Sequence, residues 1–209
     1  MKIVIFDMDG TLLDSKKDIT ISINHIRKVH HSLEPLSEEE VVDAINMDVR
    51  NLPKLFYNTE FYHEKDRDVF ELHYANQCTK NVYLYDGIYE TLKELYLRGV
   101  RLSVATNAPT PFVLMMLKKL NVDSLFDVII GADKVKAAKP NPEMLEKILT
   151  HYNFDKEKDS AWMIGDNSKD MQSAKNANID SMFAKWGFSP DGEHHTLLNH
   201  PKEILETVL

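Results

Sequence analysis

The stretch Phe6-Asp-Met-Asp-Gly-Thr-Leu12 places two carboxylates, a glycine and a hydroxyl directly behind the apolar run Lys2–Phe6. Three later segments repeat the pattern of apolar run and polar loop: Thr106-Asn107 behind Arg101–Ala105, Lys134-Val-Lys-Ala-Ala-Lys139-Pro behind Asp127–Ile130, and Gly165-Asp166-Asn-Ser-Lys-Asp170 behind Ala161–Ile164. In an open parallel sheet, ligands bind beyond the carboxyl ends of the strands. Taken together, these ends supply the carboxylates Asp7, Asp9, Asp166 and Asp170, the hydroxyl of Thr106 and the ammonium of Lys139. Carboxylates on one rim repel one another, so a hard divalent cation is the natural occupant, and Mg²⁺ takes few protein carboxylates while keeping waters and phosphate oxygens. Thr106 and Lys139 suit the remaining phosphate charge. A carboxylate attacking phosphorus is an anion meeting an anion, and it becomes feasible when a metal and a lysine neutralise the phosphoryl oxygens. Asp7 is the candidate nucleophile. Asp9, two residues on, is the candidate acid for the leaving oxygen and the candidate base for the water that follows.

The elements that must position these loops are legible in the same sequence. Five short apolar runs, the four above and Asp180–Ala184, read as buried strands. Helical patterns separate the last four. Ile88, Leu92 and Leu95 share one face of the segment from Gly87 to Arg98, with Asp86 as its expected cap and Gly99 as its stop. Pro111 and Pro142, behind Thr110 and Asn141, and Ser168 before the run Lys169–Ala177 mark three more helix starts. Strands alternating with helices imply right-handed βαβ units and a parallel sheet covered on both faces. Between Leu13 and about Val82 no strand is evident. Ile19, Ile23 and Ile26, then Val41 and Ile45, then Val69, Leu72 and Tyr74 are spaced as helix faces, and Ser37-Glu-Glu-Glu40 is a capping box. The expectation is an inserted bundle of helices.

Composition excludes several classes. Of 209 residues, 43% are hydrophobic and 28% charged, with seven glycines and eight prolines, the balance of a globular chain and not of a disordered one. A net charge of −8 argues against a nucleic-acid footprint. The single cysteine, Cys78, forms no intrachain disulfide, and no signal-like leader opens the chain, which together predict a reducing, cytoplasmic setting. No apolar run is long enough to span a bilayer.

Taken singly, each motif has a plainer reading. Asp-Met-Asp is equally a turn with two solvated carboxylates, Thr106-Asn107 a cap, Lys139 surface charge, and Gly165-Asp166 a strand end leading into a helix. Asp170 is as well explained as a complement to a helix's positive end. The pairs His30-His31 and His194-His195 read as surface residues, since adjacent side chains diverge and neither pair has a ligand partner at metal spacing. Cys78 has no basic neighbour at catalytic spacing beyond Lys80.

The four loops, in this order and at these intervals, resemble the motifs of the haloacid dehalogenase superfamily of aspartate-nucleophile phosphotransferases, over essentially the whole chain. Finer layout, in "YDGIYETLKELYLRGVRLSVATNAP", "KPNPEML", "MIGDNSKDMQSAKNANI" and the "WGF" at Trp186–Phe188, is similar to the phosphoglycolate phosphatase branch. The resemblance implies an α/β fold: a Rossmann-like parallel sheet core of five main strands in the order 5-4-1-2-3 (residues 1–14 and 83–209), with an α-helical cap inserted at 15–82. It implies Asp7 as nucleophile, Asp9 as acid and base, Thr106 with Asn107 as phosphate holders, and Lys139 as the motif lysine. It implies Mg²⁺ held by Asp7, by the backbone carbonyl of Asp9 and by Asp166, with Asp170 in support.

Within the cap, "INMDVRNLPKLF" is similar to a substrate-specificity loop. Asn46 stands there where glycine is common, and Arg50 is a candidate anchor for a substrate carboxylate or second phosphate, or equally a surface residue. The implied function is a Mg²⁺-dependent phosphatase of small phosphomonoesters working through an aspartyl-phosphate, with 2-phosphoglycolate as the first candidate substrate. The alternatives are a β-phosphoglucomutase-like phosphosugar mutase, against which Val49 stands where an arginine is usual, and a pyrophosphatase or nucleotidase of the same superfamily. Asp9 counts against a dehalogenase, because displacing halide needs no proton donor. The implied partner is a small phosphate ester, with no nucleic acid, no membrane, and a monomer or weak homodimer as the assembly.

Overall fold

The computed structural model describes residues 1–47, 51–189 and 196–209. In chain order these contain strands β1 (Lys2–Phe6) and β2 (Leu13–Asp14), helices α1 (Lys16–His31), α2 (Glu38–Asn46), α3 (Leu52–Tyr57) and α4 (Glu64–Gln77), strand β3 (Tyr83–Leu84), helix α5 (Ile88–Leu97), strand β4 (Arg101–Ala105), helix α6 (Thr110–Lys119), strand β5 (Val128–Ile130), helix α7 (Glu143–His151), strand β6 (Ser160–Gly165), helix α8 (Ser168–Asn176), strands β7 (Asp180–Ala184) and β8 (Leu197–Leu198), and helix α9 (Glu203–Val208). The chain divides into two compact units, one of Met1–Asp14 with Tyr83–Leu209 and one of Ser15–Val82. No described helix is long and apolar enough to cross a membrane.

The first unit is built on a six-stranded sheet in the order β5-β4-β1-β6-β7-β8, with every pair parallel. The five expected strands form the main part of this sheet. It differs from the expected sheet by β8, which pairs with β7 beyond the last predicted strand, and by a separate antiparallel pair, β2 with β3. Two-residue strands such as these carry no periodicity from which to read them.

Central β1 is flanked on both edges and fully buried from Ile3 to Phe6, as a strand covered on both faces must be. Ile3 and Ile5 pack with Met144, Leu145 and Ile148 of α7 and Ala174 of α8, while Val4 and Phe6 turn to the other face. Phe6 meets Phe126 edge to face there, with ring centroids 6.4 Å apart.

Four helix starts differ from expectation by a residue. Gly87, at φ +81°, precedes α5 in place of Asp86, and a side chain there would collide with the ring of His200. Helix α6 begins at Thr110 because its N–H and hydroxyl both bind Asp133, at 2.6 and 2.7 Å, drawing that residue into the first turn. Asn167 and not Ser168 caps α8: its side chain accepts from the backbone of the first turn while Asp170 accepts from the Asn167 N–H at 3.1 Å, a reciprocal capping box. At α7 the cap position falls on Pro142, although Asn141 still accepts from the Glu143 N–H at 3.0 Å.

The second unit is a helical bundle with an apolar core of Ile23, Ile26, Val41, Ala44, Phe56 and Tyr57. The capping box Ser37–Glu40 opens α2. Helices α1 and α4 meet through polar contacts along their length. Buried Asp18 accepts from Gln77, and from the backbone and side chain of Asn81 just past α4, at 2.6 to 2.9 Å. Ser22 bonds His73 at 2.9 Å. At the far end, His30 Nδ1 and His31 Nε2 take the two oxygens of Asp66, at 2.7 and 2.8 Å.

His30 is exposed and His31 half-buried, in keeping with their reading as surface residues, but the pair has in Asp66 an acidic partner that sequence spacing does not show. Their rings reach from adjacent positions to opposite oxygens of one carboxylate that is only 3% exposed. Burial alone would push the Asp66 carboxyl up, but the hydrogen bonds and charges of His30 and His31 prevail and hold it below the ordinary value. A carboxyl depressed in the fold contributes stability that is present above its unfolded value near 4 and is lost as pH falls through the folded value. Asp66→Asn is therefore expected to cost roughly 1–3 kcal/mol at neutral pH and to flatten the acid limb of the stability profile, read by thermal unfolding between pH 3 and 7.

Candidate active site

The site forms beyond the carboxyl ends of β1, β4 and β6, where adjacent parallel strands open their loops to the same side. Strand β1 delivers Asp7, whose backbone N–H still bonds the carbonyl of Ile164 at 2.8 Å, so the residue is fixed by the sheet itself. Gly10, at φ +84°, then turns the chain so that the Thr11 hydroxyl donates to Asp166 Oδ1 at 3.1 Å. Asp166 and Asp170 come from the loop and first turn after β6. One oxygen from each of Asp7, Asp166 and Asp170 lies within 4.8 Å of the others, and all three residues are buried.

Lys139, on the loop after β5, reaches into this group with Nζ at 2.7 Å from Asp7 Oδ1 and 2.5 Å from Asp170 Oδ1. Its main chain is pinned by a reciprocal pair with Asn107, whose side chain donates to the Lys139 carbonyl at 3.0 Å and accepts from its N–H at 2.9 Å. Thr106 is buried beside Asn107, with its hydroxyl accepting from the Ala108 N–H at 3.2 Å.

The electrostatics follow from burial and contact. Desolvation opposes the charge on Lys139, yet the carboxylates of Asp170 and Asp7 outweigh it, so the lysine titrates above its ordinary value and stays protonated through the neutral range. Burial and the negative charges of Asp7 and Asp170 push Asp166 well up, against the pull of the Phe188 N–H and the Thr11 hydroxyl. Asp170 is also pushed up by burial, although Lys139 counters it. Three buried carboxylates around one ammonium make a site short of positive charge. The group offers oxygen donors only, which is the donor set of a hard cation such as Mg²⁺. The residues present therefore fit the metal.

The structure brings Asp7, Lys139, Asp166 and Asp170 together, with Thr106 and Asn107 on the neighbouring strand end. Asp9 is half-buried two residues beyond Asp7. Asn46 is the last residue of α2 in the helical unit. Arg50 and Val49 lie outside the described residues, as do His194 and His195. The sequence reading did not assign Thr11 or the backbone of Phe188 to the site, yet both bind Asp166, at 3.1 and 2.7 Å. The Thr11 hydroxyl was visible in its motif, whereas a main-chain donor 22 residues from its acceptor leaves no trace in residue types.

A parallel α/β sheet with an aspartate loop beyond its central strand, a buried lysine and a second aspartate pair defines an enzyme fitted to phosphoryl chemistry. Residues 4–184 match the family profile described as haloacid dehalogenase-like hydrolase. Over 198 residues the chain is 31% identical to a phosphoglycolate phosphatase of Colwellia psychrerythraea, covering 90% of this chain and 86% of that one. It is 30% identical to pyrophosphatase PpaX of Halalkalibacterium halodurans, covering 98% and 92%. A crystal structure of a predicted phosphoglycolate phosphatase from Haemophilus somnus superposes with a TM-score of 0.84, covering 100% and 98% of the two chains at 23% identity, which shows the shared fold. The chain belongs to the haloacid dehalogenase-like hydrolases and is an enzyme of their phosphatase type. Removing the ammonium should expose the repulsion it offsets: Lys139→Ala is expected to lower kcat by on the order of 10²–10³, measured by steady-state phosphate release, with the fold intact by circular dichroism.

Proposed function

We propose that this chain is a Mg²⁺-dependent phosphatase of small phosphomonoesters, acting through a phosphorylated Asp7, with 2-phosphoglycolate as its substrate. The observation that carries the reading is the 2.7 Å contact between Lys139 Nζ and Asp7 Oδ1 inside a cluster of oxygen donors. A lone nucleophilic carboxylate would repel a phosphate dianion. Beside a protonated lysine it has a partner that meets the same anion. Mg²⁺ bound through Asp7, Asp166 and the Asp9 carbonyl would supply the remaining neutralisation of phosphoryl charge.

In the first step a carboxylate oxygen of Asp7 forms a bond to phosphorus as the ester P–O bond breaks, and the Asp9 carboxyl gives its proton to the departing alkoxide oxygen. In the second, the Asp9 carboxylate takes a proton from water, the water oxygen bonds to phosphorus, and Asp7 leaves as a free carboxylate with inorganic phosphate released. Lys139 and the Thr106 hydroxyl hold phosphoryl oxygens throughout, and Asn107 keeps Lys139 in place through its main chain. Asp170, with one oxygen on Lys139 and the other on the Asn167 N–H, is assigned to orientation of the lysine.

The substrate assignment is supported by relatives at 31% identity that are named phosphoglycolate phosphatase. Pyrophosphate is the second reading, favoured by a relative named pyrophosphatase that aligns with 98% of the chain. Selection between leaving groups is assigned to the helical unit, with Asn46 and Arg50 as its candidates.

Phosphate release from 2-phosphoglycolate, pyrophosphate, sugar phosphates and nucleoside monophosphates, with Mg²⁺ and with chelator, tests the reading. The expected result is a preference for 2-phosphoglycolate that vanishes with chelator, returns with Mg²⁺, and is lost by several orders of magnitude in Asp7→Asn. Turnover retained in Asp7→Asn overturns the mechanism, and isomerisation of a sugar monophosphate without net phosphate release replaces it with a mutase. Asn46→Gly is expected to change the ratio of kcat/KM values between 2-phosphoglycolate and pyrophosphate at unchanged chelator sensitivity.

A further inference from the structure

Three glycines stand face to face with the second aspartate pair. A Cβ on Gly10 would lie 2.2 Å from Asp166 Oδ2, one on Gly165 would lie 2.3 Å from Asp170 Cγ, and one on Gly187 would lie 2.3 Å from Asp166 Cβ and 2.5 Å from its Oδ2. The first two belong to motifs already discussed. Gly187 lies in the Trp186-Gly187-Phe188 stretch, which has so far been given no role: it sits on the loop that leaves β7, and its backbone is outside the left-handed region, so the position demands room and not unusual torsion.

The residues on either side of Gly187 explain what the room is for. The Phe188 N–H donates to Asp166 Oδ2 at 2.7 Å. The Trp186 indole donates to the Thr11 carbonyl at 3.0 Å, and Thr11 is the residue whose hydroxyl donates to the other oxygen of Asp166. A Cβ at Gly187 would also come within 2.3 Å of the Gly10 carbonyl. The turn is therefore bonded to the loop after β1 and packs closely against the Asp166 carboxylate.

We propose that Trp186-Gly187-Phe188 is the positioning device for the Asp166 carboxylate as a Mg²⁺ ligand. Its two oxygens each receive one neutral donor, the Thr11 hydroxyl on Oδ1 and the Phe188 N–H on Oδ2, and each keeps lone-pair capacity for a cation. Neutral donors fix the orientation without cancelling the charge, whereas the ammonium of Lys139 is spent on Asp7 and Asp170. Gly187 sets how closely the turn approaches, and so where Asp166 stands relative to Asp7. None of the three residues touches the reacting phosphoryl group in this assignment. They act through Asp166.

The proposal rests on the reading that Asp166 binds Mg²⁺, and calorimetric titration of the full chain with Mg²⁺ separates the two. Gly187→Ala is expected to weaken Mg²⁺ binding by roughly 10- to 100-fold, the range for loss of an outer support of a metal ligand. The substrate KM at saturating Mg²⁺ should stay near its wild-type value. Trp186→Phe keeps the ring, removes one hydrogen bond and should weaken Mg²⁺ by a smaller factor, which keeps the test open should Gly187→Ala fail to fold. Lys185→Ala, an exposed neighbour on the same loop, should bind Mg²⁺ like the wild type. If the wild type binds Mg²⁺ and Gly187→Ala and Trp186→Phe bind it equally well, the positioning role is overturned while the metal site stands. If the wild type binds no Mg²⁺, the metal reading falls and this proposal falls with it.

Discussion

The structure is organised around an electrostatic debt that the fold creates and only partly settles. Beyond β1 and β6 the carboxylates of Asp7, Asp166 and Asp170 converge, all buried, against the single ammonium of Lys139. Unit charges 4 Å apart repel by about 4 kcal/mol at an effective dielectric of 20, so one lysine offsets part of the cluster and leaves it anionic. Asp166, which has no ammonium of its own, is pushed toward its neutral form by burial and by the charges of Asp7 and Asp170. A group of buried oxygen donors in that condition is chemically suited to a hard cation.

The scaffold makes such a concentration tolerable by fixing its parts on rigid elements. Asp7 is bonded into the sheet through its own N–H, and Lys139, though on a loop, is clamped at its main chain by Asn107. Asp170 serves two structures with one side chain, completing the capping box of α8 with one oxygen and binding Lys139 with the other. Its double use reconciles the two readings of that residue, since the helix cap is also what holds the carboxylate in place.

The helical unit follows a different logic. Its core is apolar, but α1 and α4 are matched by polar contacts whose geometry admits few alternatives: Asp18 with Gln77 and Asn81, Ser22 with His73, and Asp66 with His30 and His31. The buried guanidinium of Arg27 adds to this by binding the carbonyls of Glu34 and Phe56. Buried polar groups must find partners or cost free energy, so a bundle joined this way has its helix register specified as well as its hydrophobic burial.

Strands β1, β4, β5, β6 and β7 and the capping box at Ser37 were legible from sequence because they rest on local signals, an apolar run or a capping residue at fixed spacing. The order of acid, hydroxyl, lysine and second acid pair along the chain was likewise legible, since each follows a strand and strand ends share one rim. Strands β2 and β8 were not, being two residues long and stabilised only by a distant partner. The pairing of His30 and His31 with Asp66 spans 36 and 35 residues, and the hold of Phe188 on Asp166 is a main-chain bond indifferent to side-chain type. By itself the sequence determined which groups exist and which strand ends carry them. Distances, and with them the sharing of one ammonium between two aspartates and the room kept at Gly187, were decided by tertiary packing, because contact between remote segments depends on how the whole sheet and its loops close.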